Sequence, residues 1–106
     1  MRLVQSVMVV VALSAGFRTA DAGEVRVASS HAACRSTANV ERFEQFERAD
    51  DDSGYKQLYL STGATRECIF LRAGEIIFDG PNKDGWACVK LSDSGDCYWT
   101  RPSVLN

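Results

Sequence analysis

Hydrophobic positions along the chain change period three times. Leu3 to Gly16 (LVQSVMVVVALSAG) is an apolar run broken only by Gln5, Ser6 and Ser14. It follows a positive Met1-Arg2 and precedes Ala20-Asp21-Ala22, a small-x-small site suited to signal peptidase. The run is short of the ~20 apolar residues that a bilayer core requires, so residues 1–22 are expected to be a cleaved signal peptide, leaving no stable membrane anchor. Gly23 to Ala33 is small and polar apart from Val25 and Val27, which predicts a loose leader over residues 23–35. A helical period then sets in. Val40, Phe43 and Phe46 recur on one face, Ser36 or Thr37 is placed to cap the start, and Glu44 and Arg48 form a favourable i,i+4 pair. Asp50-Asp51-Asp52-Ser53-Gly54 interrupts that helix. A second begins there, with Tyr55, Leu58 and Tyr59 as its stripe and Gly63 as its stop.

From Arg66 the pattern becomes that of strands: 66–71 (RECIFL), 75–78 (EIIF), 86–91 (WACVKL) and 96–100 (DCYWT). Asp79 to Gly85 reads as a loop and Ser92 to Gly95 as a turn. Pro102-Ser103-Val104-Leu105 predicts a closing 3₁₀ turn. The expected fold is α+β: a short N-terminal helical cap over residues 36–62, followed over 66–106 by a four-stranded antiparallel meander, all within a single domain, 36–106.

Composition sharpens the picture. The chain has 106 residues, 45% hydrophobic and 25% charged, with a formal charge of −2 that becomes −3 when Arg2, Arg18 and Asp21 leave with the signal segment. This acidity opposes nucleic-acid binding, which rests on clustered Lys and Arg. Four cysteines survive cleavage, and in an oxidising compartment an even count reads as disulfides. Three pairings are possible. Cys88 and Cys97 flank a turn and Cys34 and Cys68 bracket the helices, which favours Cys34–Cys68 with Cys88–Cys97. There is no C-x-x-C for redox chemistry, and the gaps do not suit a zinc ribbon. The protein is expected to be periplasmic or secreted.

Residues 71–105 resemble the second half of a bacterial SH3-like (Src-homology-3-like) domain. Arg72-Ala73-Gly74-Glu75 is similar to the turn that leads into the family's central strands, and Asp84-Gly85-Trp86 to its loop ending in tryptophan. Gly95 stands at the tight hairpin, and Thr100-Arg101-Pro102-Ser103 resembles the terminal turn. The resemblance implies a partly open β-barrel that binds peptides or cell-wall polymers. It also places Trp86 and Pro102 at the binding groove. Leu105 stands where that groove has a tyrosine and Ala87 replaces a second aromatic. The layout from Cys34 to Cys97-Tyr98-Trp99 also looks like small secreted bacterial proteins of undefined role.

Candidate chemistry is sparse. His31 is the sole histidine and sits three residues before Cys34, in the expected leader, where nothing would orient it as a base. Asp50-Asp51-Asp52 and Asn82-x-Asp84-Gly85 lack the offsets of a calcium loop and read as a helix cap and a turn. No catalytic residue, metal or cofactor is expected. Alternation places Tyr98 and Trp99 on opposite faces of their strand, so at least one is available for binding. The candidate ligand-binding residues are Trp86, Trp99, Tyr98 and Pro102. The expected function is a non-catalytic binding module for a peptide, a cell-wall glycan or a partner protein. The alternative is a secreted enzyme inhibitor or toxin-neutralising protein acting through the Asp79–Gly85 loop.

Overall fold

The expected leader is part of the sheet. In the computed structural model, which describes residues 23–106, Glu24–Arg26 forms strand β1 and His31–Cys34 forms β2. The chain continues as α1 (Thr37–Arg48), α2 (Asp52–Ala64), β3 (Cys68–Leu71), β4 (Ile76–Asp79), β5 (Ala87–Lys90), β6 (Tyr98–Thr100) and a 3₁₀ turn at Pro102–Val104. The expected signal peptide lies outside the described residues. Six strands therefore replace the expected four, and they pair antiparallel in the order β1-β4-β5-β6-β2-β3. The helices are not an N-terminal cap, since they lie between β2 and β3. With β1 and β3 at its two edges, the sheet is open.

The strand signal of the leader is tertiary. His31-Ala32-Ala33-Cys34 has no β-branched residue, yet β2 runs between β6 and β3 as an interior strand. Ala32, Ala33 and Cys34 are buried there, where both faces are covered and small side chains fit. Packing context of this kind overrides intrinsic strand preference.

The two faces of the sheet carry two cores. On one, Val27, Ala33, Leu71, Ile77, Val89, Tyr98 and Val104 form a cluster drawn from every strand or its flank. On the other, Ala32, Cys34 and Cys68 pack against Val40 and Phe43 of α1 and Leu58 of α2, with Phe46, Tyr55 and Trp86 around them. The helical stripe expected at 40, 43 and 46 is the one that docks. Asp51 caps α2, its Oδ1 accepting from the Gly54 N–H at 2.9 Å. Gly54 is required at that corner, because a Cβ there would stand 2.5 Å from the Phe46 ring.

Both disulfides form as expected, Cys34–Cys68 and Cys88–Cys97, leaving no free thiol among the described residues. The first ties neighbouring β2 and β3 at directly opposed positions. The second ties β5 to the residue that precedes β6. The C-terminal 3₁₀ turn returns to β1: the Ala28 N–H donates to the Val104 carbonyl at 2.7 Å, and Val27 bridges Leu105.

Candidate functional site

Both tryptophans of the chain reach one shallow pocket by different routes. Trp86 follows a two-residue turn in which Lys83 and Trp86 exchange backbone hydrogen bonds of 2.9 Å in each direction. Asp84 and Gly85 both take positive φ, 52° and 84°. Two consecutive residues of that hand make the turn whose twist matches a β-hairpin, and Asp-Gly is its preferred sequence. Trp99 comes from the middle of β6, opposite Cys88 of β5 and Cys34 of β2. Each indole is half-buried. Together with Arg35, Ser36, Thr37, Lys83 and Asp84 they line a pocket of about 410 Å³. That volume lies within the ~300–1,000 Å³ range of small-molecule sites.

Trp86 is held by a residue outside the pocket lining. The Arg101 guanidinium stacks 4.1 Å from its ring centroid. Arg101 is itself gripped by Glu44 of α1 in a two-point ion pair, Nε to Oε2 at 3.0 Å and Nη2 to Oε1 at 2.8 Å. His31 Nε2 lies 3.1 Å from Glu44 Oε2, completing the group. The Arg101 hydrogen bonds hold the Glu44 carboxyl below its ordinary range even though burial pushes the other way, and Glu44 in turn raises Arg101. Planar bidentate pairs of this type fix orientation as well as energy. The chain Glu44–Arg101–Trp86 thus joins a helix to the indole platform.

Arg35, at the other side of the pocket, is anchored by its own set of bonds. Its Nε donates to the Arg66 carbonyl at 3.2 Å, Nη2 to the Tyr98 hydroxyl at 3.3 Å and Nη1 to Asp96 Oδ2 at 3.4 Å. The Tyr98 bond is the main cause of its raised pKa.

The structure brings together two of the four candidate residues. Trp86 and Trp99 share the pocket. Tyr98 points to the opposite face, as strand alternation predicts, and is buried in the sheet core with its hydroxyl donating to the Arg66 carbonyl at 3.3 Å. It therefore offers no ring to a ligand. Pro102 is exposed at the start of the 3₁₀ turn and does not line the pocket. Arg101, its neighbour in sequence, makes the contact with Trp86. His31 also differs from expectation: it sits on β2 against Glu44, not in a loose segment. Among the described residues no three His, Cys, Asp or Glu side chains converge as a metal site.

Sequence reasoning missed Arg35, Ser36 and Thr37 at the pocket and Glu44 and Arg101 behind it. All five depend on the β2–β6 pairing, which sets the loop after Cys34 beside Trp99. No local signal announces that pairing. Lys83 and Asp84 were legible, because Asp84-Gly85 before Trp86 marks a tight turn.

A second depression, of about 280 Å³, lies between α2 and the edge strand β3, lined by Phe43, Tyr59, Leu60, Gly63, Ile69 and Phe70 among others. Its rings contact each other edge-on: Tyr59–Phe70 at 5.2 Å and Phe43–Tyr55 at 5.0 Å between centroids. Burial pushes the Tyr55 phenol up to about 12.

No protein-family model, curated protein or solved structure matches the chain.

Proposed function

We propose that the protein is an exported, non-catalytic binding module whose ligand, a peptide, a cell-wall glycan or a partner protein, is taken at the Trp86–Trp99 pocket. One observation carries this reading. The two tryptophans of the chain converge half-exposed on one pocket, and one of them is pinned by Arg101 and Glu44. Large aromatic rings fixed in place before binding lose little entropy on contact, and tryptophan is among the side chains that dominate binding energy. The groups around them are hydroxyls, two cations and one carboxylate, suited to hydrogen bonding and charge recognition. Two disulfides fit an oxidising periplasmic or extracellular setting. The SH3-like reading of residues 71–105 is supported by the consecutive antiparallel strands β4, β5 and β6 and the 3₁₀ turn after them.

The test is retention of the purified, disulfide-bonded protein on insoluble cell-wall material and on membrane-protein fractions of a bacterial envelope. Saturable retention on either, lost in Trp99→Ala with an unchanged circular dichroism spectrum, is the expected result. Equal retention of wild type and variant would overturn the pocket as the binding site.

A second reading, a secreted inhibitor or toxin-neutralising protein, draws on the Asp79–Gly85 loop. Residues 81–85 are exposed, and the tight Lys83–Trp86 turn closes their end. Replacing Pro81 to Asp84 with a Gly-Ser stretch would abolish partner inhibition on that reading.

A further inference from the structure

We propose that two copies of this chain associate through the free edge of β3, strand against strand across a two-fold axis, with their α2 helices meeting over the joint. The surface shares no lining residue with the Trp86–Trp99 pocket.

The two edges of the sheet are finished differently. At β1 the chain covers its own edge: the Ala28 N–H donates to the Val104 carbonyl at 2.7 Å and the Asn106 N–H to the Arg26 carbonyl at 3.0 Å. At β3 nothing among the described residues does so. The Arg35 N–H donates to the Glu67 carbonyl at 2.8 Å, which makes Cys34–Cys68 and Ala32–Phe70 the non-hydrogen-bonded pairs of the β2–β3 ladder. The N–H and C=O of Cys68 and Phe70 therefore point away from β2, along the open edge. The flanks are already engaged. The Arg66 carbonyl accepts from Arg35 and Tyr98, and the Arg72 N–H donates to Glu75 Oε1 at 2.8 Å. The strand itself, Cys-Ile-Phe-Leu, has none of the charges or prolines that keep natural edges from pairing.

The open patch has two layers, and that selects the occupant. Over the edge, α2 presents Tyr59 and Leu60, 46% and 59% exposed, and β3 adds Phe70 at 37%. They line the 280 Å³ depression, and at Gly63 a Cβ would meet nothing within 4 Å. A lone foreign strand would satisfy the backbone and leave the helical layer uncovered. A second copy supplies both layers, because a two-fold axis normal to the sheet sets helix beside helix. The symmetric register that uses every open group places Ile69 against Ile69, so Cys68 of each copy exchanges both backbone hydrogen bonds with Phe70 of the other. Both outer edges are then β1, already covered, so assembly closes at two. At ~200 Å² for a fully exposed large side chain, Tyr59, Leu60 and Phe70 bury roughly 280 Å² per copy. With the strand edge, Gly63 and Ala64 added, the pair buries on the order of 1,000 Å², the lower limit for a specific interface.

Sedimentation equilibrium of the disulfide-bonded protein, from micromolar to millimolar concentration, should show monomer and dimer with a midpoint of roughly 10–100 µM, the strength of an interface near that limit. Amide exchange followed by NMR reads the edge itself. The Cys68 and Phe70 amides should be protected at high concentration and exchange fast on dilution, whereas Ile69 and Leu71, bonded to β2, stay protected throughout. Leu60→Asp, at an exposed position where the fold loses little, should weaken association at least tenfold with an unchanged circular dichroism spectrum. A monomer at every concentration, a dimer whose Cys68 and Phe70 amides exchange as in the monomer, or a dimer indifferent to Leu60→Asp would overturn the proposal. So would a monomer in which those two amides become protected only on adding an alternating Thr-Val hexapeptide, since the occupant would then be a foreign strand.

Discussion

The protein has two aromatic surfaces that contrast in how their rings are occupied. Beside α2 and β3, Phe43, Tyr55, Tyr59 and Phe70 contact one another, edge-on except for the tilted Phe43–Phe70 pair, and Phe43 is buried at 2% exposure. At the other surface, Trp86 is stacked by an arginine and Trp99 lies half-buried among polar groups. In the first group the rings are one another's partners, with Tyr59 and Phe70 at its exposed edge. In the second, Trp86 is stacked by Arg101, Trp99 is placed by its strand between β5 and β2, and both rings stay half-exposed. Aromatic residues alone do not mark a site. What marks one is an aromatic whose orientation is held by something other than the face it presents.

Each surface has its own disulfide. Cys34–Cys68 lies under the aromatic cluster, and Cys88–Cys97 fastens the strand that carries Trp99 to its neighbour. The comparison therefore breaks first in stability. Phe43→Ala should cost about 3–5 kcal/mol, enough to unfold much of a small domain. Trp99→Ala should cost about 1–2 kcal/mol for a half-buried ring and act mainly on binding. Urea denaturation of both variants checks this, and equal costs would erase the distinction between the two surfaces.

Next come the disulfides. Loop closure assigns about 3.8 kcal/mol to the bridge spanning 34 positions and about 2.7 kcal/mol to the bridge spanning 9. Replacing Cys34 and Cys68 by serine should thus lower the urea midpoint more than replacing Cys88 and Cys97. The latter pair should instead disturb tryptophan emission more, since Trp99 pairs with Cys88 and follows Cys97 by two residues, whereas only Cys34 of the other bridge adjoins it. The reverse ranking in either measurement would contradict this division.

The smallest effect concerns the clamp behind Trp86. Glu44 ionises more readily in the folded chain than its ordinary value of 4.5, mainly because of Arg101. A depressed carboxylate contributes stability above its unfolded pKa and loses it as pH falls through the folded value. Melting temperature should therefore drop below about pH 4.5, and Glu44→Gln should remove that part of the acid dependence at a cost of about 1 kcal/mol near neutrality, the partly exposed Arg101 limiting the gain. A pH series of thermal melts with simultaneous tryptophan emission tests it. An unchanged acid limb in the variant would mean that Glu44 is not a clamp.

The local sequence was a good guide where a residue's neighbours in the chain are also its neighbours in space. Val40 and Phe43 on one helical face, the Asp51 cap, the Asp84-Gly85 turn, the closing 3₁₀ turn and the Cys88–Cys97 bridge across a turn follow from short-range pattern. So does the opposition of Tyr98 and Trp99. Burial of Tyr98 and exposure of Trp99 do not, because alternation separates the two faces without saying which one is covered.

Amino-acid order by itself settled the two helices, the strands after Cys68 and the acidic balance, and favoured the cysteine pairing that forms, since each rests on periodicity, turn chemistry or composition. Only the tertiary structure made His31–Cys34 an interior strand between β6 and β3. That placement carries Arg35 and α1 to Trp99 and brings Glu44 within reach of Arg101. The reason is physical: a strand of small residues gains its stability from what packs on both sides of it, and those partners come from the far end of the chain.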